Sequence, residues 1–346
     1  MMTVRNKERY LFIGTYNEAT EEAIVIFRYD EKINEFLKIG GVSGIKNPSY
    51  LTVNQKGDRL YAVSEVEDGE VVSYQLKYHG EKIELMEMNR QKTNGSSPCY
   101  LSLSEEEKTL FASNYGGGSV AAFSLNEDGA LQSLVAFEEF NELGDVSHPH
   151  QIKRLTSNIY LIPDLGLNRL FLYRLEQEEQ RLVYTNEVET AEGAGPRHFT
   201  FDELTKTVYV VNEHQSTVAA YRLDEKEVQL SLLQEIRTIP EDFKGDNYGA
   251  DIHIHPTERL IFTSNRGHHS LSTFQINEEG ELMLIDHTML TGEWPRNFQI
   301  DPNGDSILVA NERTDSIHLL RVTGNGVLEE TCSLNRIHKP VCLHIR

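Results

Sequence analysis

Cysteine is scarce in this 346-residue chain, with Cys99, Cys332 and Cys342 the three present. So small and odd a set, widely spaced, excludes a disulfide framework and points to a reduced, cytoplasmic setting. Basic charge is in deficit: 33 Lys and Arg face 54 Asp and Glu, for a formal net charge of -21. A chain of that sign repels nucleic acid and anionic membranes, so neither is expected as a partner. Long apolar runs are also missing. The first, Tyr10-Leu11-Phe12-Ile13, follows a polar and charged start and is too short for a signal peptide. No later run reaches membrane-spanning length. There is no Gly-x-Ser-x-Gly elbow. After Gly116-Gly117-Gly118 comes neither Gly-Lys-Ser/Thr nor a helical pattern, so this segment reads as a turn, not a phosphate cradle.

What the chain has is a repeat. Asn47-Pro48-Ser49-Tyr50-Leu51-Thr52-Val53 alternates apolar and polar residues after its proline. A polar turn, Asn54-Gln55-Lys56-Gly57-Asp58, separates it from a second apolar segment, Leu60-Tyr61-Ala62-Val63, which ends in Ser64-Glu65. The same pattern starts again at Pro98, Pro149, Pro196, Pro295 and Pro340, with Gly249 standing in for proline once. The anchors at 48, 98, 149, 196, 249, 295 and 340 are 50, 51, 47, 53, 46 and 45 residues apart. Alternation at period two means strands, and the turn residues between them mean hairpins. A unit of this length holds about four short strands, the content of one propeller blade.

The last copy stops at Arg346, before its second strand. That strand is found at the other terminus, as Leu11-Phe12-Ile13-Gly14, with Ile24-Val25-Ile26-Phe27 as a third. One blade built from both termini closes the ring, and closure buries the apolar faces that single blades expose. The expectation is an all-β, seven-bladed propeller of four-stranded antiparallel blades, with residues 1–346 as one domain. The acidic segment 176–179 reads as a solvated hairpin.

In a ring of equivalent blades, equivalent positions converge on one axis. The position after each second strand carries Tyr16, Glu65, Tyr115, Asp164, Glu213, Arg266 and Glu312. The position after each anchor carries Ser49, Cys99, His150, Arg197, Ala250, Arg296 and Val341, and the next adds Tyr50, Tyr100, Gln151, His198, Asp251 and Asn297. The basic members cluster in consecutive blades. Arg197, His198, Arg266 and Arg296 form a positive arc near Glu213 and His150, which reads as a pocket for a small anion. Arg offers forked, permanent donors to carboxylate or phosphate, and Glu213, His150 or His198 can take a proton. The competing reading is that these charges pair with one another and hold blades in register. His148-Pro149-His150 and His253-Ile254-His255 place two imidazoles on one strand face, but zinc needs a third ligand that nothing convincingly supplies. The carboxylates could instead hold Ca²⁺ or Mg²⁺. The favoured reading has no metal and no cofactor. Trp294 reads as a packing residue more than a stacking platform. Oligomeric state leaves no mark on the sequence.

Ser147-His148-Pro149-His150, Pro163-Asp164-Leu165-Gly166, Gly195-Pro196-Arg197-His198-Phe199, Val211-Asn212-Glu213, Ala250-Asp251-Ile252-His253, Ser264-Asn265-Arg266-Gly267 and Trp294-Pro295-Arg296-Asn297-Phe298 together resemble the lactonase family of seven-bladed propellers. That family includes propeller-type bacterial 6-phosphogluconolactonases and fungal carboxy-cis,cis-muconate cyclases. The resemblance implies a sugar lactone or related acid as substrate and no required metal. It also implies catalytic roles for His150, Arg197, Glu213 and Arg266. His148, Asp164, His198, Arg296 and Asn297 are the expected substrate contacts. Glu312 departs from the neutral residue expected at its position. Two alternatives stay open: a cyclase or lactonase of carboxymuconate-like diacids, and a non-catalytic propeller that binds a protein or a sugar.

Overall fold

The alternating segments do become strands, and each repeat becomes one antiparallel sheet. The computed structural model describes residues 9–30, 35–141, 146–176 and 178–346. Seven four-stranded sheets are formed. Their first strands are Leu51–Val53, Pro98–Leu103, Lys153–Arg154, Pro196–Asp202, Tyr248–Ile254, Pro295–Ile300 and Pro340–Ile345. First strands touch first strands across most blade boundaries, so they line the axis. We number blades two to seven in chain order, from the blade that begins at Leu51.

The seventh sheet is the closing blade. Its order is Pro340–Ile345, Arg9–Thr15, Ile24–Asp30, Glu35–Val42. Leu11 pairs with Ile345 and Gly14 with Cys342. The Tyr10 and Arg346 amides each donate to the other's carbonyl, at 2.8 and 2.9 Å. The Arg346 guanidinium reaches into blade two, donating to the Asn54 and Gln55 carbonyls at 2.8 and 3.0 Å. On the other side Asp301 of blade seven accepts from Tyr29 at 3.1 Å and pairs with Arg9 at 2.6 Å.

The core lies between blades. Leu161, Leu170 and Leu172 of blade four pack on Phe199, Val208 and Val210 of blade five. Leu308 and Ile317 of blade seven pack on Leu11, Ile13 and Phe27 of the closing blade. A strand face is thus buried only when its neighbour is in place, which couples ring closure to hydrophobic burial.

The anchors shape the site. Asn47, Ser97, Gly195, Trp294 and Lys339, each just before an anchor proline, adopt left-handed φ values of 48, 50, 64, 65 and 37°. After the anchors the pairing register slips, between Pro98 and Tyr100, Pro196 and His198, Gly249 and Ile252, and Pro295 and Asn297. Such bulges re-aim side chains. They deliver consecutive residues, such as Arg197 and His198, to one pocket. Gly249 replaces proline where a Cβ would lie 2.7 Å from the Asn212 carbonyl oxygen.

Blade four departs from the expected pattern. Its first strand is reduced to Lys153–Arg154, with a single bridge between Pro149 and Asp164. The segment 176–179 does join two paired strands, Arg169–Glu176 and Arg181–Glu189, with Arg181 2.7 Å from Glu176. Gln177 and the polar stretch 1–8 lie outside the described residues. No helix among the described residues is long and apolar enough to cross a membrane, and the three cysteines are free.

Candidate active site

First and second strands run antiparallel, so the start of one and the end of the other meet at the same end of the ring. This brings the predicted polar rings together. Glu213, just after the strand Thr207–Asn212, sits between two guanidinium groups. Its Oε2 is 2.7 Å from Arg266 Nη2 and 2.9 Å from Arg197 Nε. Arg197 is 1 % exposed and Arg266 5 %, so both charges are removed from bulk water. Arg266 Nη2 also donates to the Gly249 carbonyl at 3.1 Å, and Arg197 Nη1 to the Ala250 carbonyl at 2.5 Å. Arg266 Nε is buried and has no hydrogen-bond partner. Arg197 Nε is close to Glu213 but not aligned as a hydrogen bond to it.

Burial pushes the Arg197 guanidinium down to about 10, with the neighbouring Arg266 and Arg296 cations adding to the effect. It remains protonated at neutral pH. For Glu213, burial alone would raise the carboxyl, but Arg266 and Arg197 outweigh it and hold it below the usual range. A carboxylate so stabilised is a weak proton acceptor.

Arg296 lies 5.4 Å from the Tyr16 ring centroid, near enough for its charge to act on Arg197, Arg266 and Glu213. Tyr16 donates its hydroxyl to Glu65 at 3.0 Å. Burial opposes the Arg296 charge, but Tyr16, Glu65 and Glu312 prevail and raise its pKa above the ordinary value. Glu312, acidic where a neutral residue was expected, therefore acts on Arg296.

The third group is uncharged. His150 Nδ1 lies 3.2 Å from His198 Nε2, and His198 Nδ1 lies 2.8 Å from Asp251 Oδ1. Cys99 Sγ is 3.7 Å from His150 Nδ1. Burial holds His150 well below the usual histidine range, helped by Arg197, His198 and Arg296. Burial and Arg197 push His198 down to about 4. Cys99 is pushed up to about 12, chiefly by burial, so it stays a thiol.

Several expected substrate contacts are placed otherwise. Asp164 is fully buried and accepts from Ser147 Oγ, His148 N and Leu167 N, which ties down the irregular start of blade four. Its oxygens are satisfied by the protein and it stabilises a turn. Asn297 donates to Asp251 Oδ2 at 2.5 Å and accepts from Leu343 N at 2.7 Å, bridging blade six and the closing blade. His198 has both nitrogens engaged inside the protein. His148 stacks on Tyr115, with centroids 4.3 Å apart, and donates through Nδ1 to the Tyr115 carbonyl at 2.8 Å. The sequence marks Asp251 only as a ring member, although its repeat position is that of His198 one blade on. Arg313 stacks on Trp294 at 3.4 Å from the ring centroid, which fits the packing reading of that tryptophan. Among the described residues no group of three or more His, Cys, Asp or Glu is placed to hold a metal.

A family model described as "Lactonase, 7-bladed beta-propeller" matches residues 10–345. The chain belongs to that family. Among this lactonase-family chain's relatives is a 6-phosphogluconolactonase of Bacillus subtilis, 30 % identical over 96 % of this chain and 97 % of the other. Another, from Formosa agariphila, is 30 % identical over 90 % and 92 %. A solved periplasmic gluconolactonase of Pseudomonas aeruginosa has a TM-score of 0.88 at 27 % identity, covering 98 % of this chain and 99 % of that one.

Proposed function

We propose that this propeller hydrolyses a sugar lactone, with 6-phospho-D-glucono-1,5-lactone the favoured substrate and 6-phosphogluconate the product. The observation that carries this reading is the Arg197–Glu213–Arg266 cluster, which lies directly against a pair of neutral imidazoles, with Arg197 Nη1 3.4 Å from the His198 ring nitrogens. Relatives named 6-phosphogluconolactonase support it. Arg197, Arg266 and Arg296 engage the phosphate and the carbonyl oxygen, which becomes the oxyanion of the tetrahedral intermediate. His150 or Glu213 accepts a proton as water attacks C1. The conjugate acid then protonates the departing ring oxygen. No covalent nucleophile is needed, because a δ-lactone is already a reactive ester.

One observation favours a second reading within the same chemistry. Glu65 and Glu312 beside Arg296 lower the net positive charge of the pocket, which suits an unphosphorylated lactone. The fold is shared with a gluconolactonase. Steady-state rates on 6-phosphoglucono-1,5-lactone, glucono-1,5-lactone and a carboxymuconolactone decide between them. A preference for the phosphorylated lactone in kcat/KM sustains the proposal, equal or better turnover of glucono-1,5-lactone transfers it to the second reading, and turnover of the carboxymuconolactone alone transfers it to the diacid branch. If none is hydrolysed above the spontaneous rate, the enzymatic reading fails. A cytoplasmic location belongs with the proposal and accords with three free thiols.

A further inference from the structure

We infer that Asp251, acting through His198, sets the tautomer of His150 and so makes His150 Nε2 the proton acceptor of the site. This rests on the lactone-hydrolysis reading for its chemistry, but not for its geometry.

Which atoms can donate decides the tautomers. Asp251 is buried and ionised. Burial would raise it, yet His253 and His198 hold it well below the carboxylate range. A carboxylate only accepts hydrogen bonds. The His198 Nδ1 atom, 2.8 Å from Asp251 Oδ1, must therefore carry a proton. His198 is neutral at neutral pH, since the Arg197 Nη1 atom lies 3.4 Å from both its ring nitrogens and opposes a second positive charge. Its Nε2 is then bare and can only accept. The atom facing it at 3.2 Å is His150 Nδ1, which must donate. A neutral His150 protonated at Nδ1 has a free lone pair on Nε2. Among the described residues nothing hydrogen-bonds that nitrogen.

The remaining Asp251 bonds lock this direction. Its Oδ2 receives His253 Nε2 at 3.0 Å, Asn297 Nδ2 at 2.5 Å and Phe298 N at 3.4 Å. Its Oδ1 also receives Ile252 N at 3.0 Å. Asn297 Nδ2, Phe298 N and Ile252 N can only donate, so three fixed donors hold the carboxylate in its unprotonated form. Asp251 and His198 are positioning residues, since neither reaches the reacting atoms. The catalytic step needs no co-reactant: water loses a proton to His150 Nε2 as its oxygen bonds to the lactone carbonyl carbon. That proton passes to the ring oxygen when the C–O bond breaks.

The inference also separates two candidate bases. Glu213 shares two guanidinium groups and is stabilised as an anion, whereas His150 is kept neutral with one nitrogen bare.

The test is the Asp251→Asn variant. An amide placed here keeps its carbonyl on the donors at Oδ2, which outnumber the single Ile252 N–H at Oδ1, and so turns its NH₂ toward His198. His198 then presents a bare Nδ1 and a protonated Nε2, and His150 Nε2 becomes protonated. Long-range ¹H–¹⁵N NMR of histidine-labelled protein, with His150→Gln for assignment, reads these states without substrate. The wild type is expected to show His150 Nε2 unprotonated and Nδ1 protonated at neutral pH, and Asp251→Asn to reverse this. On the hydrolysed lactone, Asp251→Asn should lower kcat by on the order of 10³ with KM changed only a few-fold. His198→Gln preserves the polarity, because its amide donates to Asp251 and its carbonyl accepts from His150; it should leave His150 protonated at Nδ1 and bare at Nε2, as in the wild type. If Asp251→Asn does not fold, the wild-type spectrum and His198→Gln still decide. A protonated His150 Nε2 in the wild type, or an unchanged pattern in a folded Asp251→Asn, overturns the inference. If the tautomers behave as stated but no lactone is hydrolysed, the substrate reading falls and the relay stands.

Discussion

The two halves of the pocket solve opposite electrostatic problems. On one side Arg197, Glu213 and Arg266 stay charged although nearly dry, because each charge has a partner within 2.9 Å. On the other, His150 and His198 stay uncharged because burial and the nearby Arg197 penalise a cation. One arginine serves both halves: its guanidinium pairs with Glu213 and lies over His198. The lesson is that a compact ion pair can hold a neighbouring base in its neutral, proton-accepting form without touching the acceptor nitrogen.

Removing a member of each half should have different signatures. The largest loss is expected from His150→Gln, which deletes the acceptor and should lower kcat by about 10²–10⁴ with little change in KM; steady-state kinetics measures it. Arg266→Ala removes an oxyanion donor and should cost on the order of 10²–10³ in kcat/KM. If both variants keep full activity, the division of labour is wrong. Glu213→Gln instead leaves two buried arginines uncompensated. It should lower folding stability by about 3–5 kcal/mol in urea unfolding, whereas His150→Gln removes no buried charge.

The imidazole half should also be visible in stability against pH. A histidine whose folded pKa is depressed binds its proton more readily when unfolded, so its contribution is full above its ordinary value of 6.5 and is lost as pH falls. With His198 at about 4, that loss runs from near pH 6.5 down to about 4, at about 1.4 kcal/mol per pH unit from this one group. A flat stability profile across that window would contradict a neutral His198.

The smallest effect tests the link between the halves. His150 is faced by Arg197, Arg296, His198, Tyr115 and Cys99. Arg296→Gln removes one cation that depresses His150, so the acid limb of kcat/KM should move to higher pH by a fraction of a unit. Movement to lower pH would show that Arg296 does not act on the base.

Much of this was legible from repeat arithmetic. Pro48, Pro98, Pro196, Pro295 and Pro340 mark first strands, and the split seventh copy does close the ring. Pro149 misled in part. The Asp164 carboxylate organises its own turn through Ser147 and His148, and the first strand of blade four shrinks to two residues. Asp164, expected as a substrate contact, engages Ser147 Oγ and the His148 and Leu167 amides, because an acidic residue at a ring position can turn inward to satisfy nearby donors. Asp251 was underread for the converse reason: its function depends on a neighbour 53 residues away.

The sequence by itself determined the blade count, the place of closure and the end of the ring where polar residues gather, because strand period and repeat spacing are local properties that survive projection onto a line. Only the tertiary structure decided that Glu213 is shared by two arginines, that Asn297 bridges blade six and the closing blade and that three side chains from blades four, five and six join in one hydrogen-bonded row. Those partnerships hinge on bulges and rotamers at blade boundaries, where ångström-scale placement selects which of several polar neighbours each donor meets.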